Sequence, residues 1–441
     1  MDERLKVLYI SHYFPPEVNA PAVRVSEMAA RWAEQGADVT ILTCFPNHPS
    51  GIIPEEYRGL LRCREKHGAI QVVRTFVYAA ANKGCLKRIL NFLSFMFSAI
   101  ILGTPMAGKQ DIIIATSPQF FVAVAGYILS RLRRARFVFE IRDLWPEEIV
   151  AVGAIKNKYV IKALEAIEMF LYRKADLIVA VAEGTIEILQ RRGIPTSKMA
   201  LVPNGVDIEF FRSRLGGEYV RRELGIWGAK DQFVVGYIGT HGMAHKLETV
   251  LEAADMLRDH SDIKFLFVGD GAEKGSLVKM SNDLGLANVI FHDQIPRSQI
   301  PEYYAACDLC LVPLRKADLF TKNIPSKIYE IMASSRPILI STEGESRRLV
   351  EISGAGLGSK PEDPAGLAEK ILYLKENPDL RVEMGQSGYA FVLANSSRVR
   401  LADGYLGLLE TTAGRVREKA YQMPKKTEDI TSDIAKGSLS V

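Results

Sequence analysis

A doubly wound α/β fold built in two halves follows from three observations on the sequence. First, short apolar, β-branched runs recur through residues 6–182: KVLYIS at 6–11, DVTILT at 38–43, QVVRTF at 71–76, DIIIATS at 111–117, RFVFEI at 136–141 and DLIVAVA at 176–182. Runs of this length and composition are what strands buried on both faces look like. Second, stretches with helical spacing lie between them, such as Val25 to Gln35 with Met28, Ala29, Trp32 and Ala33, and Tyr159 to Arg173. Strand followed by helix, repeated, makes βαβ units and a parallel sheet. Third, the pattern restarts after the turn PNG at 203–205, with FVVGYIG at 233–239, IKFLFVG at 263–269, NVIFHD at 288–293, LCLVPL at 309–314 and PILIST at 337–342. The expected organisation is two Rossmann-like domains, 1–205 and 206–396, then a helix over 397–417 packing back on them and a polar, mostly disordered tail over 418–441. Open sheets of this kind take ligands beyond the carboxyl ends of their strands, so the sequence predicts a site in a cleft between two facing sheets.

Composition agrees and narrows the class. In 441 residues, 48% are hydrophobic and 24% charged, which suits two well-filled cores and excludes wholesale disorder. The five cysteines at 44, 63, 85, 307 and 310 are too few and too scattered for a disulfide scaffold. The opening MDERLKVLYISHYF is not a basic-then-apolar signal segment, so a reducing cytoplasm is expected. The net charge of +4 is too mild to argue for nucleic acid. Its distribution is uneven, however: residues 1–205 hold 26 Lys+Arg against 19 Asp+Glu. A basic first half suits an anionic partner or an acidic membrane surface, and equally an accidental surface bias.

One segment stands apart. Residues 89–108, ILNFLSFMFSAIILGTPMAG, carry no charge and follow Lys83, Lys87 and Arg88. Asn91, Ser94, Ser98, Gly103, Thr104 and Pro105 dilute the run. A buried helix, a helix lying in a lipid interface and a membrane span all remain open, the span fitting worst because it would interrupt the alternating sheet.

Four places can carry chemistry. In the loop after the first strand, HYFPPEVNAPAVR, Glu17 and Asn19 precede a helix whose small residues admit a ligand, and Arg24 offers a fork of donors. In IRDLWPE, Arg142, Asp143, Trp145 and Glu147 gather at the carboxyl end of a buried strand; Asp143 suits a proton or a sugar hydroxyl, and a surface Arg142–Asp143 pair is the plain structural alternative. In GYIGTHGMAHKLE, Gly239 and Gly242 leave backbone amides open before a helix expected near Ala244, with His245 and Lys246 offered to a phosphate, a purely structural turn being the plain alternative. In TKNIPSKIYEIMASS, a helix begins at Pro325 and ends at Ser334–Ser335; Ser326 opens it, and Lys327 and Glu330 share a face. That pair suits a diphosphate and a ribose diol, or simply forms an intrahelical ion pair, and Lys322 lies on the approach. The turn is neither a P-loop nor GxGxxG, no two aspartates are spaced D-x-D, and no His/Cys spacing fits a metal site. Cys307 and Cys310 read as core packing. A metal-independent reaction without cofactor is expected.

Over nearly its whole length, from KVLYISHYFPPE through VPNGVD, GTHGMAHKLETVLEAA, FVGDG, FHDQIP and PSKIYEIMASSRPI, the chain resembles glycosyltransferase family 4. The IRDLWPE and PSKIYE segments resemble those of transferases of N-acetylated deoxyamino sugars in O-antigen, lipopolysaccharide and capsule assembly. The resemblance implies the GT-B fold, with the nucleotide sugar on the second domain and the acceptor on the first. It implies transfer with retention from a nucleoside-diphosphate donor, UDP-linked by expectation, to a lipid-linked or glycan acceptor at the inner face of the cell membrane, with peripheral contact through 83–105 and no nucleic acid. Glu330 corresponds to the second glutamate of the family's E-x7-E motif, and the first falls on Lys322. The usual Arg and Lys phosphate ligands fall on Thr240 and His245, leaving Lys246 and Lys327 to replace them, with Gly239 and Gly269 at the donor turns. The acceptor-side His-Asp pair appears as Arg142 and Asp143. Asp143, Lys246, Lys327 and Glu330 are thus the expected catalytic set. Two alternatives share the architecture: a nucleotide-sugar epimerase and a non-catalytic two-lobed sugar-binding protein.

Overall fold

A computed structural model of the chain describes residues 4–48, 50–80, 85–117, 119–145, 157–212, 216–226, 232–317, 320–321 and 324–415. Glu147, Lys322 and the tail predicted over 418–441 lie outside the described residues. The chain forms two compact units: residues up to Asn204 together with those from Arg398, and Gly205–Ser397.

The first unit is an eight-stranded sheet. Its strands are β1 (Lys6–Ile10), β2 (Asp38–Cys44), β3 (Arg62–His67), β4 (Ile70–Thr75), β5 (Ile112–Thr116), β6 (Arg136–Ile141), β7 (Leu177–Ala180) and β8 (Met199–Leu201), in the order β3-β4-β2-β1-β5-β6-β7-β8. All pairs are parallel except β3–β4. Because helices cover both faces, β5 is buried at every position, which is why its sequence is a continuous apolar run. In one of the two core layers Trp32 stacks on Tyr9 and meets Tyr405 edge to face.

The predicted terminal helix is Arg398–Thr412, and it belongs to this unit. Trp32 Nε1 donates to the Ala402 carbonyl at 2.9 Å, and the Arg31 guanidinium grips Asp403 with Nε–Oδ1 at 2.6 Å. Arg398 reaches Glu27 and the Asn204 carbonyl.

The apolar segment folds as a helix Cys85–Ser98, one π-helical turn Ala99–Gly103, and a short helix Thr104–Ala107. It is long and apolar enough to cross a membrane. Its inner face is nevertheless core: Phe92, Phe95, Met96, Ala99 and Ala107 are buried, the last four in the cluster that holds Leu42, Val73 and Phe120. A span would pull these side chains out of the domain, so the packing speaks for a helix with one buried face. Leu90, Phe97 and Ile101 form its other face and are exposed by 46%, 55% and 66%.

The second unit repeats the plan with β9 (Phe233–Ile238), β10 (Ile263–Val268), β11 (Val289–His292), β12 (Leu309–Pro313), β13 (Ile338–Ser341) and β14 (Gly356–Ser359), ordered β11-β10-β9-β12-β13-β14 and parallel throughout. The order reverses direction beside β9, between its two neighbours β10 and β12. That is the switch point where loops diverge and a ligand finds room.

Candidate active site

In the second unit, the carboxyl end of β9 runs into a glycine turn. Gly239 sits at φ 146°, where a side chain is strained, and a methyl there would lie 2.5 Å from Lys327 Nζ. The next loop presses against it: a methyl on Gly269, at φ 141°, would meet the Gly239 carbonyl at 2.0 Å. Glycine at both positions therefore lets two backbone turns and an ammonium share one small volume. The Gly269 N–H donates to the His292 carbonyl at 3.2 Å, which anchors the second turn to β11.

Lys327 opens the helix Lys327–Ala333, which starts just after the Pro325 and Ser326 expected to open it. Its Nζ lies 4.0 Å from the centroid of the Tyr237 ring. Although part of the residue is exposed, the ammonium is shut off from solvent and has no hydrogen-bond partner among the described residues. Burial pushes it down from its ordinary value to about 7, partly opposed by Glu330. A cation in this state lacks an anion. The predicted Lys327–Glu330 pairing is thus a through-space attraction and not a contact ion pair; Glu330 accepts from the Tyr304 hydroxyl at 3.4 Å. Ser326 immediately precedes the helix and makes no side-chain cap bond; its carbonyl accepts from the Tyr329 and Glu330 amides.

The other predicted donor residues need correction. The helix expected near Ala244 begins at Glu248, because Lys246 takes a left-handed conformation (φ 45°) that interrupts any earlier turn. Lys246 points its Nζ at Glu248, 3.4 Å away, so its charge is already matched. His245 does not supply positive charge: burial, with Lys327 adding to it, lowers its imidazole to about 3, and its Nδ1 lies 3.3 Å from the Pro313 carbonyl. Thr240 is exposed, and its carbonyl accepts from the Tyr237 hydroxyl at 2.6 Å.

The sequence reading missed His241. It is fully buried beside Tyr237, Phe267 and Phe291, and both ring nitrogens lack partners among the described residues. Burial, then Lys274 and Lys327, lower it to about 4, so it is a neutral imidazole with one donor and one acceptor to offer. Its place three residues beyond the end of a buried strand was the available signal.

In the first unit, several of the predicted residues brace the fold. Arg24 is a brace: its guanidinium, 2% exposed, pairs with Glu140 at 3.1 Å and donates to the carbonyls of Val202 and Pro203. All three of its guanidinium nitrogens are engaged inside the fold, which corrects the expectation that it faces phosphate. Glu140 also accepts from Tyr9 and Thr116, each at 2.7 Å. Asn19 caps the helix Ala20–Glu34 by accepting from the Ala22 amide at 3.0 Å. Glu17 is buried and accepts from the amides of Asn47 and His48, at 3.0 and 2.9 Å, tying the loops after β1 and β2 together. Burial raises its carboxyl despite those amides. Arg142 is buried too, so the surface Arg142–Asp143 pair does not form. The amides of Arg142 and Asp143 both donate to Ser117 Oγ, at 2.7 and 3.2 Å.

Among the described residues no group of three or more His, Cys, Asp or Glu side chains is arranged to hold a metal ion. What the second unit offers is a buried cation, two glycine turns and a carboxylate, chemistry suited to a diphosphate and a diol.

Two mostly parallel, doubly wound units in succession make a GT-B fold. The family models for a glycosyl transferase 4-like domain and for glycosyl transferases group 1 match residues 19–205 and 223–391 respectively. The chain belongs to glycosyltransferase family 4. It is 27% identical over 386 residues to a protein of Escherichia coli K12 named for colanic acid biosynthesis as glycosyl transferase WcaI, covering 85% of this chain and 94% of that one. It is 25% identical over 285 residues to a Pseudomonas aeruginosa protein named as glycosyltransferase WbjE, covering 64% and 69%. Solved structures share the fold: sucrose-phosphate synthase of Thermosynechococcus elongatus, with a TM-score of 0.70 at 17% identity over 92% of this chain and 99% of that one, and Anabaena HepE in complex with UDP-glucose, 0.67 at 18% over 92% and 100%.

Proposed function

We propose that the protein is a retaining, metal-independent glycosyltransferase of cell-surface polysaccharide synthesis, moving an N-acetylated amino or deoxy sugar from a UDP-linked donor to a lipid-linked or glycan acceptor. The observation that carries this is the buried ammonium of Lys327 beside the Gly239 turn, with no partner among the described residues. The names of the colanic-acid relative and of the UDP-glucose complex agree with the pathway class and the donor.

In this reading the second unit binds the donor. Lys327 meets the diphosphate beside the Gly239 turn, whose Gly239 and His241 amides are not open as expected but donate to the Val268 and Asp270 carbonyls, and Glu330 takes the ribose diol. As the glycosidic bond breaks, negative charge grows on the leaving phosphate, and a cation already stripped of water stabilises it without reorganisation. The departing diphosphate accepts the proton of the acceptor hydroxyl, so no enzymic nucleophile is required. The first unit holds the acceptor, where Asp143 orients hydroxyls. A panel of UDP-, GDP- and dTDP-sugars read by thermal shift tests the donor: UDP-sugars raise the melting point, since a ligand that binds only the folded state stabilises it. A panel in which none of the UDP-sugars shifts the transition at millimolar concentration refutes this part.

The Leu90, Phe97 and Ile101 face, with exposed Lys87 and Arg88 at its start, is the surface we assign to the membrane. Phe97→Ser with Ile101→Ser leaves the core alone, whereas changing Phe95, which is fully buried, would test the fold instead. Each large side chain withdrawn from lipid costs about 1.5–3 kcal/mol. The double variant should therefore lose flotation with phosphatidylglycerol vesicles while keeping its melting point; unchanged flotation refutes the contact.

A further inference from the structure

The first unit holds a second buried cation that the fold does not use. Arg142 follows β6 directly and is 9% exposed, and its Nε and Nη1 are buried with no hydrogen-bond partner among the described residues. The reason is visible in its neighbours. Glu140, two residues earlier, is the nearby buried carboxylate, and both its oxygens are taken: Oε1 by the Tyr9 and Thr116 hydroxyls, Oε2 by Nε and Nη2 of Arg24. Arg24 therefore neutralises Glu140, and no ion pair joins Arg142 to any described residue. Burial and the proximity of Arg24 weaken its hold on its proton, against the attraction of Asp143 and Glu140.

A buried guanidinium is costly to the fold when nothing answers it. The hydrogen bonds from the Arg142 and Asp143 amides to Ser117 Oγ tie the chain here to the end of β5, at the carboxyl edge of the sheet where ligands approach. A buried charge fixed at a ligand-binding edge is the mark of a receptor awaiting its counter-ion.

We infer that Arg142 binds an oxyanion carried by the acceptor, so that this transferase selects anionic acceptors. The inference rests on the reading above, in which the first unit holds the acceptor. The planar guanidinium presents parallel N–H donors that match a carboxylate or a phosphate equally, so the oxyanion is either the phosphate of a lipid-phosphate-linked sugar or the carboxylate of an acidic sugar.

The test uses the full chain with saturating UDP, which occupies the second-unit site, and titrates methyl phosphate in one arm and the methyl glycoside of glucuronic acid in the other. Wild type binds one of the two probes, and which one identifies the source of the oxyanion. Arg142→Gln weakens that probe at least tenfold and leaves UDP affinity unchanged, while Arg142→Lys recovers part of it, keeping charge without the fork. The melting point of Arg142→Gln stays the same or rises, since an unmatched buried charge has been removed. Binding of neither probe by wild type, or equal binding by wild type and both variants, overturns the inference. Loss of UDP affinity in the same titration would instead count against the division of labour between the units.

Discussion

Lys327→Met is expected to reduce sugar transfer by 10²–10³-fold, the range seen when one preorganised charge stabiliser is removed from an active site. It should do so without unfolding the protein. The ammonium is shut off from solvent without a described partner, and its value of about 7 against an ordinary 10.5 means the fold disfavours its charge. The linkage has a definite sign. Below about pH 7 the lysine is protonated in both folded and unfolded chains, and the full cost of burying the charge is present. Between about 7 and 10.5 the unfolded chain binds more protons, so folded stability from this group rises with pH. Methionine, which fills similar space without charge, should therefore melt at the same or a higher temperature at neutral pH, and its advantage should shrink by pH 10. Transfer rates with a UDP-sugar alongside calorimetric melts at pH 7 and pH 10 check both halves. A variant that unfolds, or that keeps full transfer, contradicts the assignment.

The largest stability effect belongs to Arg24→Met. Arg24 and Glu140 are 2% and 0% exposed, and removing one partner of a buried pair costs roughly 3–5 kcal/mol because the other charge is stranded. Burial alone would raise the Glu140 carboxyl, yet Arg24 and the Tyr9 hydroxyl hold it below its usual range. This contribution is present above the ordinary carboxylate value and is lost as pH falls through the lowered one. Arg24→Met should thus shift the denaturant midpoint strongly at pH 7 and less in acid. Glu140→Gln in the Arg24→Met background should recover part of the loss, since no unpaired charge then remains. Additive losses in the double variant would show that the two residues do not form one unit.

These two residues illustrate what the sequence could and could not reveal. The strands β1, β2, β5, β6, β9, β10 and β12 were legible because parallel strands buried on both faces must be apolar throughout. β3 was not, since RCREKH is an antiparallel edge strand with no buried position and so has no hydrophobic pattern to read. β8 is only three residues long, and β14, GLGS, has a single large apolar side chain, so neither shows an apolar run. In the candidate site, Lys327 and Glu330 were legible from their spacing on one helix. Arg24 was misread because a long-range partner, Glu140, decides its role, and nothing local announces that contact. His245 was misread for a related reason: its charge state is set by burial, which composition does not reveal. His241 was passed over because a histidine in a glycine turn looks like loop until its neighbours are known to be three aromatic rings.

Donor binding in the proposed mechanism depends on Lys327 receiving the diphosphate. Calorimetric titration with UDP at pH 8, repeated in buffers of different ionisation enthalpy, measures the protons exchanged on binding. The phosphate itself, whose second pKa is about 6, is already ionised there. Free Lys327, near 7, is then largely neutral, and a bound diphosphate restores its charge. Uptake approaching one proton per site, absent in Lys327→Met, is the expected result; binding with no proton uptake, or with the same uptake in the variant, would contradict it.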